Sequence, residues 1–445
     1  MAPEFSIATA PIEPSLPEVH SSVRVSRSPI FWRRLLGFLG PGFLISVGYM
    51  DPGNWATDIA GGSRYGYTLL FVIMASNLVA ILLQSLSLKL GVATERDLAQ
   101  LCEQSFGPKV SFVFWFFAEI AIAACDMAEV IGSAIALNLL FHIPLLYGVL
   151  ITGLDVLIIL LLQRWGFRYI EALVIALIGT IIAMFGVQMF LSRPEFWPIV
   201  HNLFIPSASI VTNPGMLYIA IGILGATVMP HNLYLHSSIV QSRNYERTPK
   251  GKREAIFMAN VDSVLALTVA LFVNAAILIV AAAVFHSRGM YHVEAIQDAY
   301  KLLSPLLGAA GASTLFAVAL LASGQNSSIT GTLAGQVVME GFIHLKVSPW
   351  LRRMITRGLA IVPTVIVVAL MGEQGTEKLL ILSQVILSLQ LSFAVVPLVV
   401  FTGSRKRMGE FVNGRGLQGL AWSVAVLIAG LNGWLLVQTA MDFLK

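Results

Sequence analysis

Two short stretches interrupt the apolar runs of this chain: Asp51-Pro52-Gly53-Asn54 and Gly225-Ala226-Thr227-Val228-Met229-Pro230-His231-Asn232. Proline removes a backbone hydrogen-bond donor and glycine lowers the helical preference, so a helix should break at both places. In lipid, unwound backbone is tolerated only where it is buried in protein or lines a cavity. The breaks therefore predict a buried polar site. The alternatives are a plain proline kink at Pro52 and, for Met229, a methionine that only fills the core.

The composition indicates an integral membrane protein. Hydrophobic residues make up 57% of the 445 residues and charged residues 12%, against about 25% charged in soluble domains. Soluble enzymes, disordered scaffolds and disulfide-stapled secreted proteins are therefore excluded. Cys102, placed in a loop, and Cys125, placed in a helix, are expected to form no disulfide. Eleven apolar runs, most of them long enough for a membrane-spanning helix of about 20 residues, predict an all-α protein: 39–64, 68–93, 111–140, 145–165, 169–190, 214–243, 252–285, 308–341, 350–372, 378–402 and 416–440.

The basic residues predict the orientation in the membrane. If the N-terminus is inside, 22 of the 28 Lys and Arg residues fall in inside segments, which is a strong positive-inside bias. We therefore expect a multi-pass protein of the cell membrane, a bacterial inner membrane, with a cytoplasmic N-terminus and an extracellular C-terminus.

The two breaks occupy matching places, near the middle of the first and sixth runs. Paired Gly/Pro interruptions at equivalent positions point to an inverted-repeat transporter with its site at the bilayer midplane. The predicted organisation is a disordered cytoplasmic tail over 1–34, a first five-helix repeat over 35–192, an extracellular loop over 193–213, a second repeat over 214–403, and a cytoplasmic loop with helix 11 over 404–445.

The side chains beside the breaks predict a metal-ion site. Asp51 offers an anionic oxygen, Asn54 a neutral oxygen, Met229 a soft sulfur, and the unwound backbone offers carbonyls. Carboxylate and carbonyl oxygens suit hard cations, whereas a thioether suits softer metals. The mixed set favours Mn²⁺, Fe²⁺ or Co²⁺ over Ca²⁺ and Mg²⁺, which prefer all-oxygen shells.

A second group of titratable residues lies in the third run. Glu119, Asp126 and Glu129 are spaced by seven and three residues, so they share one face of a helix. Carboxylates inside a membrane form proton relays in transporters, although pairing with a basic residue of another helix is the structural alternative. His231, two residues after Met229, has the only side-chain type with an unperturbed pKa near neutrality.

The strings DPGN and MPHN resemble the two signature motifs of the Nramp family, the MntH-like proton-coupled divalent metal transporters. The resemblance covers about 400 residues, from Gly40 to the last helix. It implies a leucine-transporter-type fold in which helices 1–5 and 6–10 are inverted repeats and helices 1 and 6 are broken.

The resemblance also implies roles for individual residues. Asp51, Asn54 and Met229 would bind the metal by side chain and Ala226 by its carbonyl, with the carbonyl of Gly48 in some states and the amide of Gln384 in the occluded state. His231, Asp126 and Glu129 would serve proton movement, together with basic residues near helix 9, for which Arg353 and Arg357 are the candidates.

The sequence thus predicts a secondary active importer of Mn²⁺ and Fe²⁺, coupled to protons by alternating access and acting as a monomer in the lipid bilayer. No nucleophile–base pair, phosphate loop or HExxH string occurs in the sequence, so neither an enzyme, a cofactor nor a nucleic-acid partner is expected. Two alternatives remain: a divalent cation channel, which has no need of His231, and a sodium/amino-acid transporter of the same fold, whose substrate carboxylate Asp51 would repel.

Overall fold

The computed structural model of the chain describes residues 14–26, 28–153, 165–293, 295–309, 311–344 and 349–443. For a few residues of the last long helices, Arg353 among them, the backbone is described but the side chain is not. The described part is almost entirely helical, with one two-stranded sheet.

The first half of the chain, in order, forms the strand β1 (Val23–Arg24) and the helices α1 (Phe31–Phe38), α2 (Pro41–Ser46), α3 (Pro52–Tyr65), α4 (Leu70–Thr94), α5 (Leu98–Phe141), α6 (Leu145–Thr152) and α7 (Phe167–Ser192).

The second half forms the helices α8 (Phe196–Phe204), α9 (Ser209–Thr212), α10 (Pro214–Thr227) and α11 (Pro230–Ile239), the strand β2 (Arg243–Asn244), and the helices α12 (Pro249–Val284), α13 (Ile296–Leu307), α14 (Ala312–Ile343), α15 (Pro349–Thr402), α16 (Arg405–Met408) and α17 (Arg415–Phe443).

The first predicted helix breaks where its sequence indicates. After α2 the chain tightens into a 3₁₀ turn, Val47–Met50, and Asp51 is extended, with φ −68° and ψ 165°. Asp51 then caps α3, whose first residue is Pro52. Proline is tolerated there because the first helical residue needs no N–H partner. The start of α2 is capped from α12, where the Asp262 carboxylate accepts the backbone N–H groups of Gly40 (3.2 Å) and Gly42 (2.6 Å).

The sixth predicted helix breaks in the same way. Helix α10 ends at Thr227, Val228 and Met229 leave the helical conformation, and Pro230 is the first residue of α11. All ten residues of α11 are buried. The predicted interruption of helices 1 and 6 is therefore present in the structure.

Seven stretches among the described residues are long and apolar enough to cross a membrane: Pro52–Thr94, Leu98–Phe141, Phe167–Ser192, Pro214–Ser242, Pro249–Arg288, Leu379–Thr402 and Arg415–Val437. Two shorter apolar segments, Pro41–Met50 and Arg357–Gly372, lie beside them. Gly372, at φ 61°, breaks the helical conformation inside α15 between the predicted helices 9 and 10. The count of eleven spans stays a prediction, because part of the run over 145–165 lies outside the described residues.

Two expectations for the polar segments were wrong. The sequence predicts a disordered tail over 1–34, yet within the described part of this tail residues 14–26 pack against the helices, and α1 begins at Phe31. Cys102 is predicted in a loop but lies in α5, which starts at Leu98 after a capping box of Asp97 and Gln100. Both cysteines are buried and free, as expected.

One end of the helix bundle carries a concentration of basic side chains, and we call it the basic face: Arg34, Arg168, Arg243, Arg247 and Lys252. Its centre is the buried Arg243, which donates to the Glu171 carboxylate (2.7 Å) and to the carbonyl of Leu39 (2.8 Å). The basic face is the end that the charge distribution predicts to be cytoplasmic.

Candidate metal site

Asp51 presents one carboxylate oxygen to the protein and keeps the other available. The side chain is fully buried. Its Oδ1 atom accepts the backbone N–H of Asn54 (2.8 Å) and the Asn54 side-chain amide (2.7 Å). Its Oδ2 atom has no hydrogen-bond partner in the described part of the chain. A buried anionic oxygen without a partner is costly, and a cation is the natural compensation.

Three oxygen atoms converge on a single point between the two breaks. That point is held by the side-chain nitrogen of Asn54, which lies 2.7 Å from Asp51 Oδ1, 3.1 Å from the carbonyl of Ala226 and 3.3 Å from the carbonyl of Gly48. An amide NH₂ group has two hydrogens, so it cannot satisfy three acceptors in full. An anionic oxygen and two carbonyls around one buried point are the donor set of a cation site.

The sulfur of Met229 adjoins this point. Met229 is fully buried and lies in one small apolar cluster with Cys125 of α5 and Leu387 of α15. A side-chain carbon added to Gly48 would stand 3.0 Å from the Met229 sulfur. Glycine at this position therefore lets the thioether approach the unwound backbone of the first broken helix.

Gln384 of α15 closes the remaining side. A side-chain carbon on Gly53 would fall 1.7 Å from the Gln384 amide nitrogen, and one on Gly225 would fall 2.5 Å from its backbone carbonyl oxygen. At both breaks a glycine, Gly53 or Gly225, allows the backbone to lie closer to α15 than a larger residue would permit. The Gln384 Oε1 atom has no hydrogen-bond partner among the described residues. The structure brings together all six predicted metal-binding residues: Gly48, Asp51, Asn54, Ala226, Met229 and Gln384.

The acids of α5 form a second buried cluster. Glu129 Oε2 lies 3.6 Å from the Arg357 guanidinium, and Glu129 Oε1 accepts the Ser327 hydroxyl at 2.8 Å. A side-chain carbon at Gly331 of α14 would stand 2.9 Å from Asp126 Oδ1 and 3.2 Å from Glu129 Oε1. Asp126, Glu129 and Arg357 therefore lie in one place. This arrangement fits both the predicted proton route and its structural alternative, pairing with a basic residue of another helix, and the role in proton movement stays a prediction.

The other predicted proton residues are arranged differently. Glu119, half-buried and two turns before Asp126, accepts the indole N–H of Trp115 at 3.1 Å. The side chain of Arg353 lies outside the described part. His231 is buried at the start of α11, and neither ring nitrogen has a hydrogen-bond partner in the part of the chain that the structure describes.

Comparison with known proteins identifies the family. The family model for Nramp, described as natural resistance-associated macrophage protein-like, matches residues 42–438. This range includes both breaks, all six predicted metal-binding residues and the α5 cluster. The chain belongs to the Nramp family.

Full-length relatives support this membership. A Nostoc sp. protein named divalent metal cation transporter MntH is 62% identical over 431 residues, which is 97% of this chain and 97% of the relative. A Mesorhizobium japonicum protein of the same name is 61% identical over 96% of this chain and 94% of its own length. Both carry the name of a transporter, and the predicted class, not an enzyme, is confirmed.

Solved structures confirm the fold. The manganese transporter of Eremococcus coleocola is 44% identical, with a TM-score of 0.89 over 94% of this chain and 90% of that chain. Mhp1, a nucleobase-cation-symport-1 family transporter, has a TM-score of 0.64 at 13% identity, over 95% of this chain and 91% of that chain. The second likeness concerns the fold alone, and it shows that this fold also occurs outside the Nramp family.

The surroundings of the first break contain residues that the sequence analysis did not identify. Side chains satisfy the carbonyls that this break frees. Asn274 of α12 donates to the carbonyl of Tyr49 at 2.7 Å, while the Trp55 indole (3.1 Å) and the Ser323 hydroxyl donate to that of Met50. An asparagine inside the apolar run 252–285 was the available signal for this role.

Cys125 is a further residue near the site for which the sequence analysis predicts no role. It belongs to the same apolar cluster as Met229, and its thiol donates to Glu129 Oε1 at 3.5 Å. It therefore lies between the metal site and the acid cluster. Its spacing of four residues from Glu129, one turn of helix, could have indicated this contact.

Proposed function

We propose that this Nramp protein is a secondary active transporter that imports divalent transition-metal ions, Mn²⁺ and Fe²⁺, together with protons by alternating access. The observation that carries the proposal is the convergence of the Asp51 carboxylate and the Gly48 and Ala226 carbonyls on one buried point. The printed names of the relatives, a divalent metal cation transporter and a manganese transporter, support the class of substrate.

The donor set explains the proposed selectivity. Alkaline-earth ions gain little from sulfur and bind best in all-oxygen shells. With Met229 in place of one oxygen donor, the site penalises Ca²⁺ and Mg²⁺ relative to softer divalent metals. The side chains of Asn54 and Gln384 are neutral amides, so Asp51 is the only anionic ligand in the proposed set. A dication at the site therefore retains net positive charge.

That residual charge supplies a physical basis for proton coupling. Through Cys125 the metal site adjoins the cluster of Asp126, Glu129 and Arg357. A dication at the site repels a proton held nearby, so metal entry and proton movement influence one another. His231, buried beside Met229, is the second candidate group for the proton route.

Burial of the site supports alternating access over a channel. Asp51, Asn54, Met229 and Gln384 are each at most 1% exposed. A conducting pore would keep these ligands in contact with water. A transporter must instead close both ends around the fixed site and open them in turn, which broken half-helices on either side of the site permit.

We further propose that the protein acts as a monomer in the cell membrane, with the basic face cytoplasmic and the C-terminus outside. The positive-inside distribution supports this orientation. Single cysteines at the exposed Lys250, on the basic face, and at the exposed Glu195, near the opposite end, test it in intact cells. An impermeant maleimide should label Glu195→Cys and spare Lys250→Cys; the reverse pattern would invert the orientation.

Uptake into proteoliposomes tests the transport proposal. With an inward proton gradient, Mn²⁺ should accumulate above its external concentration, and internal acidification should accompany entry. Fe²⁺ and Cd²⁺ should compete, while Ca²⁺ and Mg²⁺ should not. A channel would equilibrate Mn²⁺ without accumulating it. Accumulation that ignores the proton gradient would contradict the coupling, and equal competition by Ca²⁺ would contradict the role given to Met229.

A further inference from the structure

The segment Ser15–Arg24, which we call the strap, is docked on the basic face. Leu16, Val19 and Val23 are 1%, 4% and 6% exposed, and all three belong to the main hydrophobic core. Terminal segments are poorly ordered unless they are tied down. Three buried apolar anchors in one short polar segment indicate a specific binding place for the strap.

One side of the strap is attached to α14. The backbone N–H of Leu16 donates to the Glu340 carboxylate at 2.9 Å, and the Gln336 amide donates to Glu18 Oε1 at 3.1 Å. Gln336 also donates to Glu340 at 2.9 Å. The last turns of α14 therefore hold the strap through its backbone and through a side chain.

The other side of the strap is attached to the end of α11. The Ser238 hydroxyl donates to the carbonyl of Ser15 at 3.4 Å, and the backbone N–H of Ser21 donates to the carbonyl of Gln241 at 2.9 Å. Beyond these contacts β1 pairs in parallel with β2, with Val23 opposite Arg243. The strap thus ties α11 to α14 across the basic face.

The strap lies at the far end of the helix that starts at the metal site. Helix α11 begins beside Met229 and its ten residues span about 15 Å. Both half-helices on this side of the breaks, α2 and α11, approach the basic face. A path for the metal ion from the candidate metal site to the basic face must therefore open next to α2 or α11. The strap covers the end of α11 at which such a path would reach the basic face.

The strap is also connected to the first broken helix. It continues through α1, whose Leu35 and Phe38 pack against α12, and then through Leu39 and Gly40 into α2. Arg243, in β2, bonds the carbonyls of Phe38 and Leu39. A movement of α2 would therefore pull on Leu39 and, through Arg243, on β2, which is the strand that pairs with β1 of the strap.

We propose that the strap is a latch that closes the basic face and must leave its place between α11 and α14 before metal passes to that side. The inference rests on the proposed alternating access and adds to it a named gate. The alternative is that the strap is a static anchor, which stays docked in every conformation of the transport cycle.

A reversible cross-link tests whether the strap must move. Glu18→Cys and Gln336→Cys replace two long side chains whose tips are in contact. A direct disulfide needs Cα atoms within about 7 Å, so a short bis-methanethiosulfonate spacer joins the two thiols instead, and the buried Cys102 and Cys125 are kept. Cross-linking of the pair should reduce Mn²⁺ uptake about tenfold or more, because transport scales with the population of the open state. Reduction, which removes the spacer, should restore uptake. The Glu18→Cys single variant, treated with the same reagent, is the control. Undiminished uptake by the cross-linked protein would overturn the latch.

A labelling measurement tests closure without any transport. Ser238→Cys places a thiol beneath Ser15, and Leu16→Asp introduces a charge into the apolar place of the strap. In the detergent-purified protein, where the basic face is accessible, a maleimide should then react about tenfold faster or more, whereas Ser22→Asp, at an exposed position of the strap, should leave the rate unchanged.

Equal labelling rates in the Leu16→Asp protein and its parent would overturn the latch. If Leu16→Asp does not fold, Val19→Ser is the milder second variant, read in the same way. Failure of the proposed transport can be told apart from failure of the latch. If the protein does not transport Mn²⁺, the reduced double-cysteine protein accumulates none, whereas the labelling rates still show whether the strap covers Ser238→Cys.

Discussion

A methyl group at Gly225 should widen the metal site. Gly225 lies in the last turn of α10 and faces α15, where an added side-chain carbon would stand 2.5 Å from the Gln384 carbonyl oxygen and 2.7 Å from Ser388 Cβ. Ordinary contact begins at 3.4 Å, so α10 and α15 must separate by about 0.9 Å in Gly225→Ala. Ser388 cannot yield easily, because Asn432 of α17 bonds both its hydroxyl (2.9 Å) and its carbonyl (2.7 Å).

The displacement acts directly on a proposed ligand. The carbonyl of Ala226 is one residue away and would leave the point on which the Asp51 and Gly48 oxygens converge. A misplacement of about 1 Å costs up to about 100-fold in well-oriented sites. We therefore expect the dissociation constant for Mn²⁺ to rise by about 10- to 100-fold, or ~1.4–2.8 kcal/mol, in titration calorimetry of the purified protein, with a matching loss of uptake.

Two further glycines provide the comparison. Gly186→Ala, in α7, meets no atom within 4 Å and should leave binding unchanged, with at most about 1 kcal/mol of added helix stability. Gly53→Ala meets the flexible end of Gln384 and should be intermediate. A folded Gly225→Ala protein that binds and transports Mn²⁺ like its parent would refute the close approach of α10 and α15 as a requirement of the site.

Three other substitutions probe selectivity, proton coupling and the basic face. Met229→Ala leaves an all-oxygen shell, so Cd²⁺ should weaken most and Mn²⁺ about tenfold, or ~1.4 kcal/mol, while the ratio of Ca²⁺ to Mn²⁺ transport rises; an unchanged ratio would make Met229 a packing residue. His231→Ala should alter the pH dependence of uptake more than Mn²⁺ affinity, and a marked loss of affinity with an unchanged pH profile would place His231 among the ligands. Burial raises the pKa of Asp97 from 3.8 to about 6, so the folded protein holds the carboxyl proton of Asp97 more tightly than the unfolded chain does. The free energy of unfolding therefore falls as the pH rises from about 4 to about 6. Asp97→Asn keeps the helix cap and should flatten this fall in melting temperatures; a slope equal to that of the parent would contradict the assignment.

The broken helices could be predicted because their causes are local. Pro52 and Pro230 prevent the helix from continuing through them, and the polar side chains beside them have no reason to lie in apolar runs without a site. The residues around the breaks therefore come together in the structure as expected. Their roles as metal ligands stay a prediction that the experiments above address.

The strap could not be predicted, because its binding place is assembled from distant parts of the chain. Three apolar residues, Leu16, Val19 and Val23, in a Pro- and Ser-containing segment do not predict an ordered structure. Glu340, which accepts the backbone N–H of Leu16, lies 324 residues away in the sequence. The helical start before Cys102 is different, because Asp97 and Gln100 form a capping box, which is a local signal that the sequence itself contains. Asn274 satisfies an unwound carbonyl only once α12 and the first break are side by side, so its role is also a property of the tertiary structure.

The most direct test of the central claim is anomalous diffraction from crystals grown with Mn²⁺. The account predicts one strong manganese peak between the two breaks, within bonding distance of an Asp51 carboxylate oxygen, the Ala226 carbonyl and the Met229 sulfur, and its loss in Asp51→Ala. A peak that persists in Asp51→Ala, or one that lies away from both breaks, would contradict the assignment of this site as the place where the transported metal binds.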